Sequence, residues 1–150
     1  MDPTLSARLF GYCILLLPIL LLSEVLLLRA RLSASRLRAL LGLDIAYNGG
    51  IYLAVAAAVI HLLWFGRALP DYLGNLWLYV AAGLFVLLSM LSLVPLTLYV
   101  AWRGALADDN AVRPGTQALL LLRLCLLLEV AVVLGLGHLA RLIEQGPPAV

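Results

Sequence analysis

Four long apolar stretches take up most of this 150-residue chain: Leu9 to Leu28, Asp44 to Phe65, Leu76 to Trp102 and Gln117 to Leu142. Each reaches or passes the roughly 20 residues that a helix rising about 1.5 Å per residue needs to cross a hydrocarbon core about 30 Å thick. A water-soluble globule cannot absorb them. With 65% hydrophobic and 12% charged residues, the chain has too few polar side chains to coat the core it would have to build. The solvent is therefore lipid, which satisfies no backbone polar group, so the spans must be helices. The expected fold is all-α: an integral-membrane, up-down four-helix bundle forming a single domain over residues 1–150.

Charge then orients the bundle. All ten basic residues are arginine, which beside the Leu and Ala excess reflects a GC-rich bacterial genome, and hence the inner (cytoplasmic) membrane. The connection after span one holds Arg29, Arg31, Arg36 and Arg38, and that after span three holds Arg103 and Arg113; the opposite side has Arg8, Arg67 and Arg141. Arginine-rich connections stay in the cytoplasm, so both termini are expected outside. Tyr12, Trp64, Phe65, Tyr72, Trp77 and Tyr79 then form an outer aromatic belt, and Tyr47, Tyr99 and Trp102 an inner one. No basic cluster is dense enough for nucleic acid.

Turn formers mark the second and third connections: Pro70, Gly74 and Asn75, then Asn110, Pro114 and Gly115. The first connection differs. Leu32, Leu37, Leu40, Leu41 and Leu43 alternate with arginines in a helix-like pattern, the mark of an interfacial turn or of an extension of span one or two. Span one is too long for a signal-peptide core, carries Glu24 and lacks a small-residue cleavage site, so it reads as uncleaved. Pro18 and Pro95 read as packing kinks, and Cys13 and Cys125, at different depths, as apolar packing residues. The Gly-Pro-Pro tail after Leu142 should be irregular.

Charges inside lipid are costly, so Glu24, Arg123 and Glu129 each need a partner. Glu24 and Arg123 lie about one turn inside the cytoplasmic ends of spans one and four, where an ion pair would lock the first helix to the last. Asp44, at the entry to span two, reads as a helix N-cap. Glu129 is nine residues from His138 and so lies opposite it on the helix, away from the small face of Ala131, Gly135 and His138. With that small face turned into the bundle, Glu129 with Leu122, Leu126 and Val133 would face a further transmembrane chain. The alternative is an internal contact of Glu129 with Ser89 or Ser92.

His61 and His138 sit at similar depths toward the outer side, each on a stripe with small residues: Gly50, Ala54, Ala57 and Ala58 beside His61. That room serves close helix packing. Alternatively it accommodates a haem b held between the two imidazoles for electron transfer or haem-linked oxidation, with Arg67 and Arg141 near its propionates. Neither histidine belongs to a haem motif, and no metal is expected. Cys-x-x-Cys, His-Glu-x-x-His, Gly-x-Ser-x-Gly and Walker patterns are missing too, which argues against an enzyme.

Between Glu24 and Arg103 the chain carries Ser23-Glu-Val-Leu-Leu-Leu-Arg29, Asp44-Ile-Ala-Tyr-Asn-Gly-Gly50, Tyr72-Leu-Gly-Asn75 and Leu91-Ser-Leu-Val-Pro95, leading to Trp102-Arg103. In these it resembles a family of small bacterial four-helix membrane proteins of unknown function, grouped with the CopD-like and HemJ-like membrane proteins. Members of that family have a histidine pair early in span one and a lysine early in span three, where this chain has Phe10 and Gly11, and Ala81. The resemblance implies a bundle that lacks its relatives' ligands. The expected role is an accessory or scaffolding subunit of a larger membrane assembly, respiratory or photosynthetic, with lipid and other transmembrane subunits or a second copy as partners and no cofactor of its own.

Overall fold

A computed structural model describes residues 3–65, 75–106 and 111–145. Arg67, Pro70, Tyr72, Gly74, Asn110 and the Gly-Pro-Pro tail lie outside the described residues, as do the side chains of Trp64 and Phe65. The elements are α1 (Pro3–Leu27), β1 (Leu32–Ser33), α2 (Ala34–Phe65), α3 (Leu76–Ala105), β2 (Ala111–Val112) and α4 (Thr116–Gln145). All four helices are long and apolar enough to cross a membrane. Neighbours in the bundle are α1 with α2, α2 with α3, α3 with α4 and α4 with α1, so the helices form a closed ring of four.

Inward positions recur at three- and four-residue steps, as one helix stripe requires. They are Leu17, Leu21, Glu24 and Leu28 on α1, and Leu40, Asp44, Tyr47 and Ile51 on α2. On α3 they are Leu88, Ser92, Pro95 and Tyr99, and on α4 Leu122, Leu126, Glu129 and Val133. Outward positions are also apolar, Leu15, Leu26, Met90 and Leu121 among them. Lipid tails solvate those side chains, so shape and polarity, not apolarity, decide which face turns inward.

Two glycines set the distance of α1 from its neighbours. A Cβ on Gly50 of α2 would lie 2.8 Å from Leu17 Cδ2, and one on Gly137 of α4 would lie 2.7 Å from Ile14 Cγ2. At both positions an α1 side chain already fills the space a Cβ would take, the small-residue packing that membranes favour. Across α2 and α3, Tyr52 meets Phe85 edge-on at 6.4 Å.

The first connection is mostly helix. α2 begins at Ala34, ten residues before Asp44, so Asp44 is an interior residue of that helix and not its N-cap. Leu32, Leu37 and Leu40 are buried while Arg29, Arg31, Arg36 and Arg38 are exposed, which explains the mixed pattern: one face joins the bundle and the other is polar. Ser33 Oγ accepts from Arg36 N at 3.5 Å, a long N-cap contact. At α3, Asn75 caps the helix by accepting from Trp77 N at 3.0 Å.

Between α1 and α2, Leu32 and Ser33 pair antiparallel with Val112 and Ala111 from the connection between α3 and α4. This two-residue ribbon ties the two arginine-rich connections together at one end of the bundle, the ribbon end. Ile14 lies against Gly137 and Leu28 against Arg123, so α1 and α4 are antiparallel and the chain's first and last helix ends share the opposite, terminal end.

Candidate functional site

Three carboxylates are wholly buried in the ribbon-end half: Glu24 on α1, Asp44 on α2 and Glu129 on α4, each 0% exposed. Tyr99 of α3 donates its hydroxyl to Glu24 Oε2 at 3.0 Å, and Glu24 Oε1 has no partner. Asn48 Nδ2 donates to the Asp44 backbone oxygen at 2.9 Å and to Oδ1 at 3.4 Å, leaving Oδ2 unpaired. The Cys125 thiol has two acceptors in reach, Glu129 Oε1 at 3.7 Å and the Leu91 carbonyl at 3.6 Å, while Glu129 Oε2 is unpaired. The buried Tyr47 hydroxyl faces Glu129 without a hydrogen bond of ordinary length and angle. Glu24 lies within electrostatic reach of both Asp44 and Glu129. All four helices thus supply one connected polar cluster.

Lipid offers no hydrogen-bond partner, so polar side chains rotate their helices inward. That rule overturns the expectation for α4. Glu129 does not face a partner chain: it, Leu122, Leu126 and Val133 form the innermost stripe of the helix, at 0 or 1% exposure. The small face points out instead, with Ala131 and His138 exposed and open space beside Gly135, and the glycine that meets α1 is Gly137. Ser89 and Ser92 do not serve the acid either, since both hydroxyls donate to carbonyls of their own helix, Phe85 and Ser89.

The expected Glu24–Arg123 ion pair is not formed. Arg123 is exposed and donates from Nη2 to the Leu28 carbonyl at 3.1 Å. The carbonyls at a helix C-terminus have no partner within the helix, and the guanidinium from α4 satisfies one just beyond the end of α1. Arg123 does tie the first helix to the last, through backbone and not through Glu24. Cys125 is no plain packing residue either, because it touches Glu129.

The terminal-end half holds a cavity of about 320 Å³ to which every helix contributes, Phe10 and Leu17, Ile51 and His61, Phe85, and Leu136 among its walls. His61 is half-buried at this cavity, whereas His138 is exposed and takes no part in it. Among the described residues no three His, Cys, Asp or Glu side chains gather as metal ligands would.

A family model described as a predicted membrane protein (DUF2214) matches residues 4–147. The chain belongs to that family. No curated protein and no solved structure matches it. Membership in the DUF2214 family covers all four helices and with them the whole acid cluster, and it assigns no activity to either.

The cluster was not legible as a unit from spacing alone. By spacing, Asp44 reads as a helix N-cap, Tyr47 as part of the inner aromatic belt, Cys125 as an apolar packing residue, and Glu24 and Glu129 as members of different contacts. One signal did point to it: the segments on which the chain resembles small bacterial membrane proteins, Ser23 to Arg29, Asp44 to Gly50 and Leu91 to Pro95, contribute Glu24, Asp44, Tyr47, Asn48 and the Leu91 carbonyl that faces the Cys125 thiol.

Chemically, the arrangement joins carboxyl, phenol and thiol groups, with no cation among the described residues. The side chains acting on Glu24 and Glu129 are Asp44, Tyr47, Tyr99, Cys125 and, on Glu24, Glu129; no arginine or histidine is among them. Such a set can hold and pass protons among oxygens that otherwise lack partners.

Proposed function

We propose that this chain is a small subunit of a larger bacterial inner-membrane assembly, and that it contributes a buried acid and tyrosine centre that takes up and releases protons. The observation that carries the reading is the three fully buried carboxylates, each with one oxygen unpaired and none matched by a basic side chain among the described residues. A bundle that served only as a scaffold gains nothing from them. Buried ionic groups exchanged for well-packed apolar ones leave stability equal or higher, whereas an isolated ionised carboxylate in hydrocarbon is costly and proton binding is the ordinary relief. In this reading the ribbon end is cytoplasmic and both termini face outside, because the exposed Arg29, Arg31, Arg36, Arg38, Arg103 and Arg113 gather there.

Infrared difference spectra of the protein in nanodiscs, recorded as pH is changed, test the centre. Carboxyl carbonyl bands should grow and fade with pH, one disappearing in Glu24→Gln and another in Glu129→Gln. A spectrum without titrating carboxyl bands, or one that both variants leave unchanged, overturns the proposal. Gentle purification from native membranes tests the assembly: a second membrane chain should accompany the protein, and recovery as a lone monomer counts against a subunit role. The centre works without haem in this proposal, so the same preparation should show no Soret band that His61→Ala removes.

A further inference from the structure

The length of α4 fixes the depth of Arg123. With 30 residues the helix runs about 45 Å by helical rise, the thickness of a bilayer with both headgroup layers, and those layers take about 7 Å at each end. Arg123 lies seven residues in from Thr116, about 10 Å along the axis, so its backbone sits just beneath the headgroups. Its side chain is exposed, on the flank of α4 that meets α1. A guanidinium carries five N–H donors, and here Nη2 alone has an acceptor among the described residues, the Leu28 carbonyl at 3.1 Å. Glu24, one turn before Leu28, is wholly buried and takes its hydrogen bond from Tyr99. An arginine exposed to hydrocarbon is costly unless its head reaches the interface.

Two contacts gather further arginines there. The bond to the Leu28 carbonyl sets the Arg123 guanidinium beside the backbone that leads into Arg29, and Arg31 follows two residues on. The ribbon pairs Leu32 with Val112, so the next position of the same register sets Arg113 opposite Arg31. Side chains alternate along a strand, which turns both arginines away from the side of buried Leu32, and both are exposed. Like charges directly opposed across a ribbon repel. The carboxylates described in this half, Glu24, Asp44 and Glu129, are wholly buried, so none of them meets these arginines at the surface. Asp108 and Asp109 lie outside the described residues.

A phosphate group answers both needs. Guanidinium pairs with it through several donors, and a lipid phosphate stands at the depth that the Arg123 side chain reaches. We propose that Arg29, Arg31, Arg113 and Arg123, at the ribbon end of the seam between α1 and α4, bind the phosphodiester headgroup of one anionic phospholipid. Leu127, one turn deeper than Arg123 on the same stripe of α4, is exposed and offers the acyl chain an apolar wall.

Native mass spectrometry of the full chain tests the site, with phosphatidylglycerol and phosphatidylcholine of identical acyl chains added to the detergent-solubilised protein. The wild type should hold one phosphatidylglycerol about tenfold more tightly than phosphatidylcholine, the ratio that about 1.4 kcal/mol of headgroup preference gives. Arg31→Gln with Arg113→Gln changes residues outside all four helices and should lose most of that preference. Arg123→Gln should lose it too and Arg123→Lys should restore part of it, each variant being checked for unchanged helix content by circular dichroism. Arg8→Gln with Arg141→Gln removes the same charge from α1 and α4 away from the ribbon, and should leave the preference unchanged. Glycerol 1-phosphate, which has the phosphate without the chains, should not displace the lipid. Equal binding of the two lipids by the wild type, or a preference that survives in either folded ribbon-end variant, overturns the site. Equal losses from the two pairs of substitutions mean attraction by net charge and overturn it as well. Displacement by glycerol 1-phosphate at the lipid's own concentration assigns the arginines to a soluble phosphate and overturns the lipid. None of these readouts depends on the state of Glu24 or Glu129.

Discussion

The two halves of this bundle use the same four helices and solve packing in opposite ways. Toward the ribbon end, Leu28, Leu40, Tyr99, Leu122 and Leu126 are at most 1% exposed and close around acids that lack full partners. Toward the terminal end, alanines and one imidazole surround a slot. In water the hydrophobic effect would press both halves shut. In lipid it does not act between helices, so polar groups that must avoid hydrocarbon drive one half together and the other closes only as far as Gly50 and Gly137 allow.

The largest difference between the halves should follow from breaking the polar contact. Tyr99→Phe removes the hydroxyl that donates to Glu24 and leaves both oxygens of that carboxylate buried without a partner. The expected loss is about 3 kcal/mol, the upper part of the range for a buried acceptor stripped of its donor. Unfolding in mixed dodecyl sulfate micelles measures it. Glu24→Leu combined with Tyr99→Phe should recover most of that loss, because the double variant buries no unpaired acid. A double variant as unstable as Tyr99→Phe alone would show that the phenol acts by packing and not through Glu24.

Next in size is truncation in the close-packed half. Leu126→Ala leaves a void among fully buried neighbours, and should cost about 2 kcal/mol, the cavity part of the loss known from soluble cores. The same change at Leu136, which already borders the slot, should cost clearly less, because one side of that leucine has few atoms to lose. Equal losses at both positions would mean that the two halves are equally tight.

How much of this was written in the sequence follows the same division. The four spans were legible from length and apolarity, because lipid permits little besides helices. The rotation of α4 was not. Small residues suggest an inward face where helices pack closely, yet on α4 Gly135 and Ala131 turn outward and Glu129 turns inward, since lipid accepts a leucine as readily as a core does and rejects a carboxylate. The leucine and arginine pattern of the first connection allows an extension of span two, and the buried Leu37 and Leu40 beneath the exposed arginines decide for it, with α2 starting at Ala34. The β1–β2 ribbon joins Leu32 to Val112 across eighty residues of chain, and two-residue strands leave no periodicity to read.

A smaller effect separates α1 from its neighbours. Gly137→Ala places a methyl group where Ile14 Cγ2 already stands, and relief requires that isoleucine or the helix to shift. Overpacking of this kind should cost about 1 kcal/mol, the low end of its usual range because one flexible side chain is in the way. Gly135→Ala, with nothing within 4 Å, is the control, and should leave stability unchanged or slightly raised. A penalty at Gly135 equal to that at Gly137 would remove close approach as the cause.

The smallest effect carries the most information about the slot. Ala81→Leu adds three carbons on α3 into space that already exists, so no neighbour has to move and no polar group is buried. In a dry apolar void the new side chain gains dispersion contacts on surfaces that had none, and its own transfer from lipid to protein is nearly neutral. The expected change lies between zero and a gain of about 1 kcal/mol, the scale on which filling a cavity stabilises a protein. Set against the loss at Gly137, an increase in size is tolerated on one side of α1's neighbourhood and opposed on the other. Thermal unfolding of both proteins in lipid-free detergent measures the change. A variant destabilised there would show that the slot closes when empty.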